Sequence, residues 1–221
     1  MITVHHLENS RSQRVLWLLE ELGADYEIKH YKRDKKTSLA PAALKKIHPL
    51  GKSPVVDHNG QVIAETGAIM EYLVDQHGGA LAPAPDAPNY QRYKYWMHAA
   101  EGSYAAIMVT ALLLTRMETA PMPFFAKPIA RKLTQGVRDA YLDHTMKGLF
   151  DYAEATLGDS QWLAGDAFSA ADIIMSFPLE GFAARGNIAG YKNIPAFLDR
   201  IHARPAYQRA LEKGGPYGLI R

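Results

Sequence analysis

The chain changes its hydrophobic pattern once, at a proline-rich segment. Before this segment short β-like runs alternate with helical periodicity, whereas from Asn89 onwards every long segment has helical spacing. Residues 78–88 carry Pro83, Pro85 and Pro88 among glycines and alanines and cannot continue a helix. In a chain of 221 residues this change predicts two domains. We place an α/β domain at residues 1–80, a linker at 81–88 and an all-helical domain at 89–221.

The order of elements in the first domain predicts its fold class. Asn59-Gly60 between two apolar pairs indicates a hairpin, because both residues readily adopt the positive φ angles of a tight turn. Gly23 is placed to end the first helix and Thr66 to cap the last one. The predicted elements are a strand at 2–7, a helix over 15–22, a strand at 26–31, a short helix at 41–47, a hairpin at 53–63 and a helix from Thr66 to Gly78-Gly79. This order is that of a thioredoxin-like domain.

Composition restricts the partners that the protein can have. Lys and Arg number 25 and Asp and Glu 23, a net charge of +2, and the basic residues are scattered, which gives nucleic acid little to bind. The absence of cysteine excludes disulfides, thiolate metal sites and a CxxC redox couple. The nine histidines include no pair with HExxH-type spacing, so no metal is expected. A small molecule is the expected partner, and any thiol chemistry requires a bound thiol.

No segment has the pattern of an export signal or of a membrane span. Residues 1–6 read directly as a strand, without the basic and apolar regions of a signal peptide. The most apolar stretch, residues 105–114, contains Thr110 and is followed by Arg116, which makes it too short to cross a bilayer. We therefore expect a cytoplasmic protein without a membrane partner.

Two dipeptides of the first domain are candidate ligand contacts. Ser53-Pro54 opens a strand after a turn, and a cis bond there would leave the Ser53 backbone as a free strand edge; a plain trans proline is the alternative. Glu65-Thr66 stands where a strand meets a helix, so the helix N-terminus favours a carboxylate and Glu65 an ammonium group. The alternative is a simple helix cap with a solvated Glu65. Together the two dipeptides suit an amino-acid zwitterion.

Asn9 and Ser10 lie between the first strand and the first helix. A ligand atom near them faces the positive end of that helix, and a hydroxyl or amide there is placed to meet a thiol. A helix cap is the alternative role for Ser10 and does not exclude the first. In the second domain Ser169 and Asp172 have the spacing of a capping box, in which each side chain bonds the other residue's backbone N–H.

The chain resembles the cytosolic glutathione transferases over nearly its whole length. The Ser-Arg-Ser-Gln-Arg run at 10–14 is most similar to the yeast-type and bacterial serine-containing branch. The segments that fall in family order are Leu16-Trp17-Leu18-Leu19-Glu20-Glu21-Leu22-Gly23, Ser53-Pro54, Glu65-Thr66, the cap from Ser169 to Asp172, and Pro195-Ala196-Phe197-Leu198 with Arg204-Pro205.

The resemblance implies glutathione as co-substrate. It implies that the Ser53 backbone, beside Pro54, pairs with the cysteinyl part of glutathione, that Glu65 and Thr66 hold the γ-glutamyl end, and that Lys52 approaches the glycyl carboxylate. The implied function is conjugation of the glutathione thiolate to electrophilic, largely apolar small molecules in detoxification. A glutathione-dependent peroxidase or disulfide reductase, and a non-catalytic binding protein of the same fold, are the alternatives.

The resemblance also implies a homodimer and an acceptor-substrate pocket. The pocket is expected between the loop of Ser10 and a long helix that bears Tyr104, Met108 and Arg116. The branches that activate the thiol with a tyrosine have histidine at the matching place here, and the cysteine branches are excluded. Ser10 is therefore the favoured catalytic residue. Asn9 is the alternative, because the spacing of serine-type branches, counted back from Arg14, falls on it.

Overall fold

A computed structural model describes residues 1–185, 188–215 and 217–218. Its first domain is built on a four-stranded sheet of order β2-β1-β3-β4. The strands are β1 (Ile2–Leu7), β2 (Tyr26–Tyr31), β3 (Val55–His58) and β4 (Gln61–Ala64). Strand β1 runs parallel to β2 and antiparallel to β3, and β3 runs antiparallel to β4. The predicted strands and hairpin are confirmed, and Asn59 and Gly60 have φ angles of 54° and 88°.

Two helices and one short turn complete the first domain. They are α1 (Ser12–Leu22), a 3₁₀ turn (Ala42–Lys46) and α2 (Thr66–Gln76). Gly23 ends α1 at φ 63°, a left-handed conformation that favours glycine. Helix α2 begins at Thr66 as expected, but no side-chain hydrogen bond caps it.

The second domain is helical in all the parts that the structure describes. Its helices are α3 (Tyr90–Ala99), α4 (Ala106–Thr119), α5 (Lys127–Val137), α6 (Asp143–Asp159), α7 (Ala170–Arg185), α8 (Asn193–His202) and α9 (Pro205–Gly214). A π-helical segment, Ala100–Ala105, joins α3 to α4, and another, Arg138–Leu142, joins α5 to α6. Residues 77–89, all of them described, contain neither helix nor strand, in keeping with the expected linker. The predicted fold class, a thioredoxin-like domain followed by an all-helical domain, is confirmed.

The continuous helical segment Tyr90–Thr119 is 30 residues long and, by length and composition alone, apolar enough to cross a membrane. The helical spacing predicted from Asn89 onwards is confirmed, but the apolar stretch judged too short to cross a bilayer, residues 105–114, is only part of this segment. This is weak evidence for a membrane span, because core helices of soluble proteins meet the same criterion. Two of its aromatic residues, Trp96 and Tyr104, are fully buried inside the protein.

The two domains share one apolar core, and α1 lies at its centre. Trp17 on α1 is buried against the ring edge of Tyr207 on α9, with 5.0 Å between the ring centres, and also contacts Phe168. At the rim of this contact Arg204 donates to both carboxylate oxygens of Glu21, at 2.6 and 2.8 Å. The packing fixes α1, and therefore the loop before it, relative to the helical domain.

The capping box at the start of α7 forms in part as predicted. The Asp172 carboxylate accepts from the Ser169 backbone N–H at 2.9 Å. The reverse bond was predicted wrongly: the Asp172 N–H donates to the Ser169 carbonyl, and the Ser169 hydroxyl donates to the Asp172 carboxylate at 3.1 Å. The other carboxylate oxygen accepts from the Leu163 N–H at 2.8 Å, so Asp172 also anchors the loop before the helix.

Candidate functional site

Two adjoining cavities form one cleft beside the loop that precedes α1. The residues common to both are Arg11, Leu50, Lys52 and Ser53. The first cavity is completed by His48, Pro54, Val55, Ala64, Glu65 and Thr66, and the second by Leu7, Asn9, Ser10, Arg33, Leu39, Ala40, Lys45, Gly51 and Phe177. The cleft thus brings together the residues predicted to bind glutathione and the two predicted to face its thiol.

Ser53 is held to β1 by its side chain, which leaves its backbone free. Its hydroxyl donates to the His5 carbonyl at 2.9 Å and accepts from the Leu7 N–H at 3.3 Å. The Ser53–Pro54 peptide bond is cis. Among the described residues, neither the N–H nor the C=O of Ser53 has a hydrogen-bond partner. These two groups form a free strand edge next to the cleft, as the sequence predicted for the cis form.

Glu65 occupies an unusual backbone conformation where β4 meets α2. Its φ of 73° and ψ of 130° lie in a region that non-glycine residues rarely adopt. Its carbonyl accepts the N–H of Ile69 and so starts the helix. Thr66 follows as the first helical residue, and both residues line the first cavity at the positive end of α2.

The loop of Asn9 and Ser10 is fixed from three sides. Asn9 has a φ of 49°, its carbonyl accepts from the Arg33 guanidinium at 3.2 Å, and its side-chain oxygen accepts from the Gly218 N–H at 2.5 Å. Ser10 is buried, and its hydroxyl oxygen lies 2.8 Å from the Ser12 hydroxyl and accepts from the Ser12 N–H at 3.2 Å. Asn9 is therefore exposed to the cleft, whereas Ser10 acts within the loop.

The charges of the cleft are mostly positive. Its lining residues include four cationic side chains, Arg11, Arg33, Lys45 and Lys52, and a single carboxylate, Glu65. Arg11 is also tied to the helical domain. Its guanidinium lies 2.8 Å from the Glu101 carboxylate and 5.8 Å from the centre of the Phe177 ring. Such a cleft favours a ligand with more carboxylates than ammonium groups.

The residues predicted to line the acceptor pocket line neither cavity. Tyr104 is fully buried, and its hydroxyl donates to the Leu149 carbonyl, so it has no exposed surface with which to contact a substrate. Met108 is half-buried against the core, and Arg116 is exposed in the last turn of α4. From the helical domain, Phe177 on α7 instead reaches the second cavity.

Sequence reasoning missed Arg11 and Phe177. Arg11 lies within the run that carries the resemblance, and its position one residue before α1 was the available signal. Phe177 belongs to no recognisable motif, and only the packing of α7 against α1 brings it to the cleft. Among the described residues no group of three or more His, Asp or Glu side chains is placed to hold a metal ion.

Comparison with known families gives a match over most of the chain. The glutathione S-transferase N-terminal domain family matches residues 1–75, and the C-terminal domain family of the same enzymes matches residues 115–205. The chain belongs to the glutathione S-transferase family. The family profiles thus cover the thioredoxin-like domain, the end of α4 and the helices from α5 to α8.

Individual relatives agree with this assignment. Glutathione S-transferase 3 of Schizosaccharomyces pombe is 37% identical over 96% of this chain and 88% of its own length. Glutathione S-transferase 1 of Saccharomyces cerevisiae is 34% identical over 99% of this chain and 97% of its own. A crystal structure of a glutathione S-transferase from Actinobacillus pleuropneumoniae has a TM-score of 0.81 at 35% identity, covering 100% of this chain and 96% of that one. The protein is a glutathione transferase.

Proposed function

We propose that this glutathione transferase conjugates the thiolate of glutathione to electrophilic, largely apolar small molecules. The observation that carries the proposal is the single cleft that joins the free Ser53 backbone, the Glu65–Thr66 helix start and the Asn9–Ser10 loop. A role in detoxification, expected from the resemblance, and a cytoplasmic location, expected from the pattern of the sequence, stay predictions.

Each charged group of glutathione has a residue or helix end of opposite charge in the cleft. Glutathione carries one ammonium group and two carboxylates, and the lining carboxylate, Glu65, suits the ammonium. The γ-glutamyl carboxylate then lies at the N-terminus of α2 beside Thr66. Lys52 is placed for the glycyl carboxylate, and the Ser53 N–H and C=O pair with the cysteinyl backbone in the manner of an added strand.

Apolar residues of the second cavity suit the electrophile. Leu39, Leu50 and Phe177 line it together with Asn9, so an apolar substrate there lies next to the position of the thiol. We therefore propose that the acceptor substrate contacts α7 and the loop after β2, rather than Tyr104 on the long helix.

Between the two candidates for thiol activation, the hydrogen bonds favour Asn9. Because the Gly218 N–H requires an acceptor, the Asn9 side-chain oxygen faces it, and the amide nitrogen is left without a partner among the described residues. Ser10 is buried and already engaged with Ser12. A thiol has an ordinary pKa of about 8.5, and a hydrogen bond to the thiolate contributes roughly 1.5–3 kcal/mol, which lowers that pKa by roughly one to two units.

We expect Asn9→Ala to raise the pKa of bound glutathione by about one unit and to slow conjugation of an aryl halide about tenfold at neutral pH. Ser10→Ala should leave that pKa unchanged and lower the free energy of unfolding by about 1 kcal/mol, because it removes the hydroxyl that accepts from the Ser12 N–H at the start of α1. The ultraviolet absorbance of the thiolate, titrated at saturating glutathione, measures the first effect, and urea denaturation measures the second.

The result with Ser10→Ala decides between the two candidates. If that variant raises the pKa of the bound thiol and Asn9→Ala does not, Ser10 is the donor.

Peroxidase or disulfide-reductase chemistry would use the same thiolate. The three reactions are compared by assaying a hydroperoxide and a mixed disulfide alongside the aryl halide. A non-catalytic binding protein would bind glutathione without forming the thiolate.

We further propose a homodimer, supported by an apolar face on the α4–α5 hairpin. Ile129, Leu133 and Val137 follow one another on α5 at intervals of four residues, and all three are exposed, at 61%, 65% and 43%. Phe124 and Phe125, in the connection before α5, are 85% and 65% exposed. A monomer rarely exposes so large a continuous apolar face, and a second copy of the chain would cover it.

We expect Leu133→Glu to raise the dimer dissociation constant at least about 100-fold, because a charge is buried at an apolar contact. Light scattering at micromolar concentration measures the change. Lys132→Glu, an adjacent exposed position, introduces the same side chain outside the apolar row and should leave the dimer intact. A Leu133→Glu protein that stays dimeric would place the interface elsewhere.

A further inference from the structure

A chain of hydrogen bonds connects the cleft loop to the end of helix α9. The Ser10 and Ser12 hydroxyl oxygens are 2.8 Å apart, and the Ser12 hydroxyl lies 2.8 Å from His6 Nδ1. His6 Nε2 lies 3.0 Å from the Gly214 carbonyl. All three side chains are buried, at 6% exposed for Ser10, 0% for Ser12 and 3% for His6. This series of hydrogen bonds therefore starts at the wall of the cleft, which Ser10 lines, and continues through buried side chains.

The Gly214 carbonyl, at the end of this series of hydrogen bonds, determines which group donates in each of them. A carbonyl only accepts, so His6 Nε2 carries the proton that is donated to Gly214. Burial and the nearby His30 lower the pKa of His6 to about 4, so the ring is neutral and Nδ1 is an acceptor. The Ser12 hydroxyl donates to Nδ1 at 2.8 Å in preference to the Leu7 carbonyl at 3.4 Å. The Ser10 hydroxyl is then left to donate to Ser12.

Gly214 is held where this carbonyl must be. A Cβ at this position would lie 2.9 Å from Leu16 Cδ1, so the end of α9 packs directly on α1 with no room for a side chain. The carbonyl that sets the direction of the chain is thus fixed by the packing of the two helices.

We infer that His6 is a positioning residue of the thiol site, which, anchored by the Gly214 carbonyl, turns the Ser12 and Ser10 hydroxyl protons inward and away from the cleft. This inference rests on the proposed function, because its consequence concerns the bound thiol. With the Ser10 proton turned inward, Asn9 is the side chain of the loop with a free donor. His6 thereby decides which of two neighbouring residues stabilises the thiolate.

Two substitutions of His6 distinguish the role of its hydrogen bond to Ser12 from that of its hydrogen bond to Gly214. His6→Gln places an amide N–H near Nε2 and removes the acceptor at Nδ1. The Ser12 hydroxyl is then expected to donate to the Ser10 oxygen, 2.8 Å away, in preference to the Leu7 carbonyl at 3.4 Å, which releases the Ser10 proton. The freed Ser10 hydroxyl then donates to the thiolate, and we expect the pKa of bound glutathione to fall by about one unit. His6→Asn keeps an acceptor near Nδ1 and should leave that pKa unchanged. Ser12→Ala removes the acceptor of the Ser10 proton directly and should act like His6→Gln.

A second substitution tests whether the effect passes through Ser10. In the double variant His6→Gln/Ser10→Ala the pKa of the bound thiol should return to the wild-type value. His5→Gln is the matched control: His5 is the adjacent buried histidine of β1, bonded to the Tyr31 hydroxyl, and its replacement should not move that pKa. Thermal unfolding and glutathione affinity are measured for each variant, and Ser12→Ala carries the test if His6→Gln does not fold.

The outcomes separate this inference from the proposed function. If the wild-type protein binds no glutathione or forms no thiolate, the proposed function fails. If it forms the thiolate, but His6→Gln and Ser12→Ala leave the thiol pKa unchanged, the positioning role of His6 is overturned while the proposed function stands. An equal fall in His6→Asn, or a fall that persists in the double variant, would also overturn it.

Discussion

Replacing Asp172 by alanine should lower the free energy of unfolding by about 4 kcal/mol, because three buried donors lose their acceptor together. These donors are the N–H groups of Leu163 and Ser169 and the Ser169 hydroxyl, all within 3.1 Å of the carboxylate. Burial raises the pKa of Asp172 to about 6, and the bonds from Leu163 and Ser169 oppose that rise. Asp172 is fully buried, so its carboxyl group depends on these partners in place of water.

Urea denaturation of Asp172→Ala beside Asp166→Ala provides the measurement. Asp166 is an exposed residue of the same loop region, and its replacement should change the free energy of unfolding by less than about 0.5 kcal/mol. A loss below about 1 kcal/mol in Asp172→Ala would show that water replaces the carboxylate, and that the cap does not carry the start of α7.

Much of the fold could be predicted because its signals are local. Gly23, Asn59 and Gly60 adopt the positive φ angles that their residue types favour, and each ends or turns an element where expected. The two π-helical segments, Ala100–Ala105 and Arg138–Leu142, were not predicted. Neither segment contains proline, and only the first contains glycine, so no shared residue marks the interruption of the α-helix in the sequence. Only tertiary packing decides where the extra residue of a π-helical turn is accommodated.

The candidate site was predictable to the extent that it lies on strand ends and helix starts. Lys52, Ser53, Pro54, Glu65 and Thr66 meet in one cavity, because the sheet places the starts of β3 and α2 side by side.

The rest of the cleft depends on contacts between distant parts of the chain. Phe177 enters it from α7, and the Gly214 carbonyl reaches His6 across 208 positions of sequence. Ser10 was favoured over Asn9 because sequence spacing does not show which side chains hydrogen-bond within a loop. The partners that engage the Ser10 hydroxyl become visible only when His6 and Ser12 are seen together.

Substitution of Glu65 is the second test with a large expected effect. Its backbone conformation favours glycine, whereas the proposed binding of the ammonium group requires its carboxylate. Glu65→Ala and Glu65→Gly should each raise the dissociation constant of glutathione about 100-fold, because both remove the carboxylate proposed to bind the ammonium group. At φ 73° and ψ 130° a non-glycine residue costs roughly 1–3 kcal/mol. Glycine relieves this strain and loses part of the gain to the entropy of the unfolded chain, so Glu65→Gly alone should be more stable, by about 1 kcal/mol.

Calorimetric titration with glutathione measures the dissociation constant of both variants, and urea denaturation measures their free energy of unfolding. Asp75→Ala removes an exposed carboxylate at the other end of α2 and should change neither quantity by more than a small amount. Equal stabilisation by alanine and glycine would mean that charge, and not backbone strain, destabilises this position. If only Glu65→Gly is stabilised and both variants lose affinity for glutathione, the strained backbone is retained because it directs the Glu65 carboxylate into the cleft. Glycine would relieve the strain but has no carboxylate.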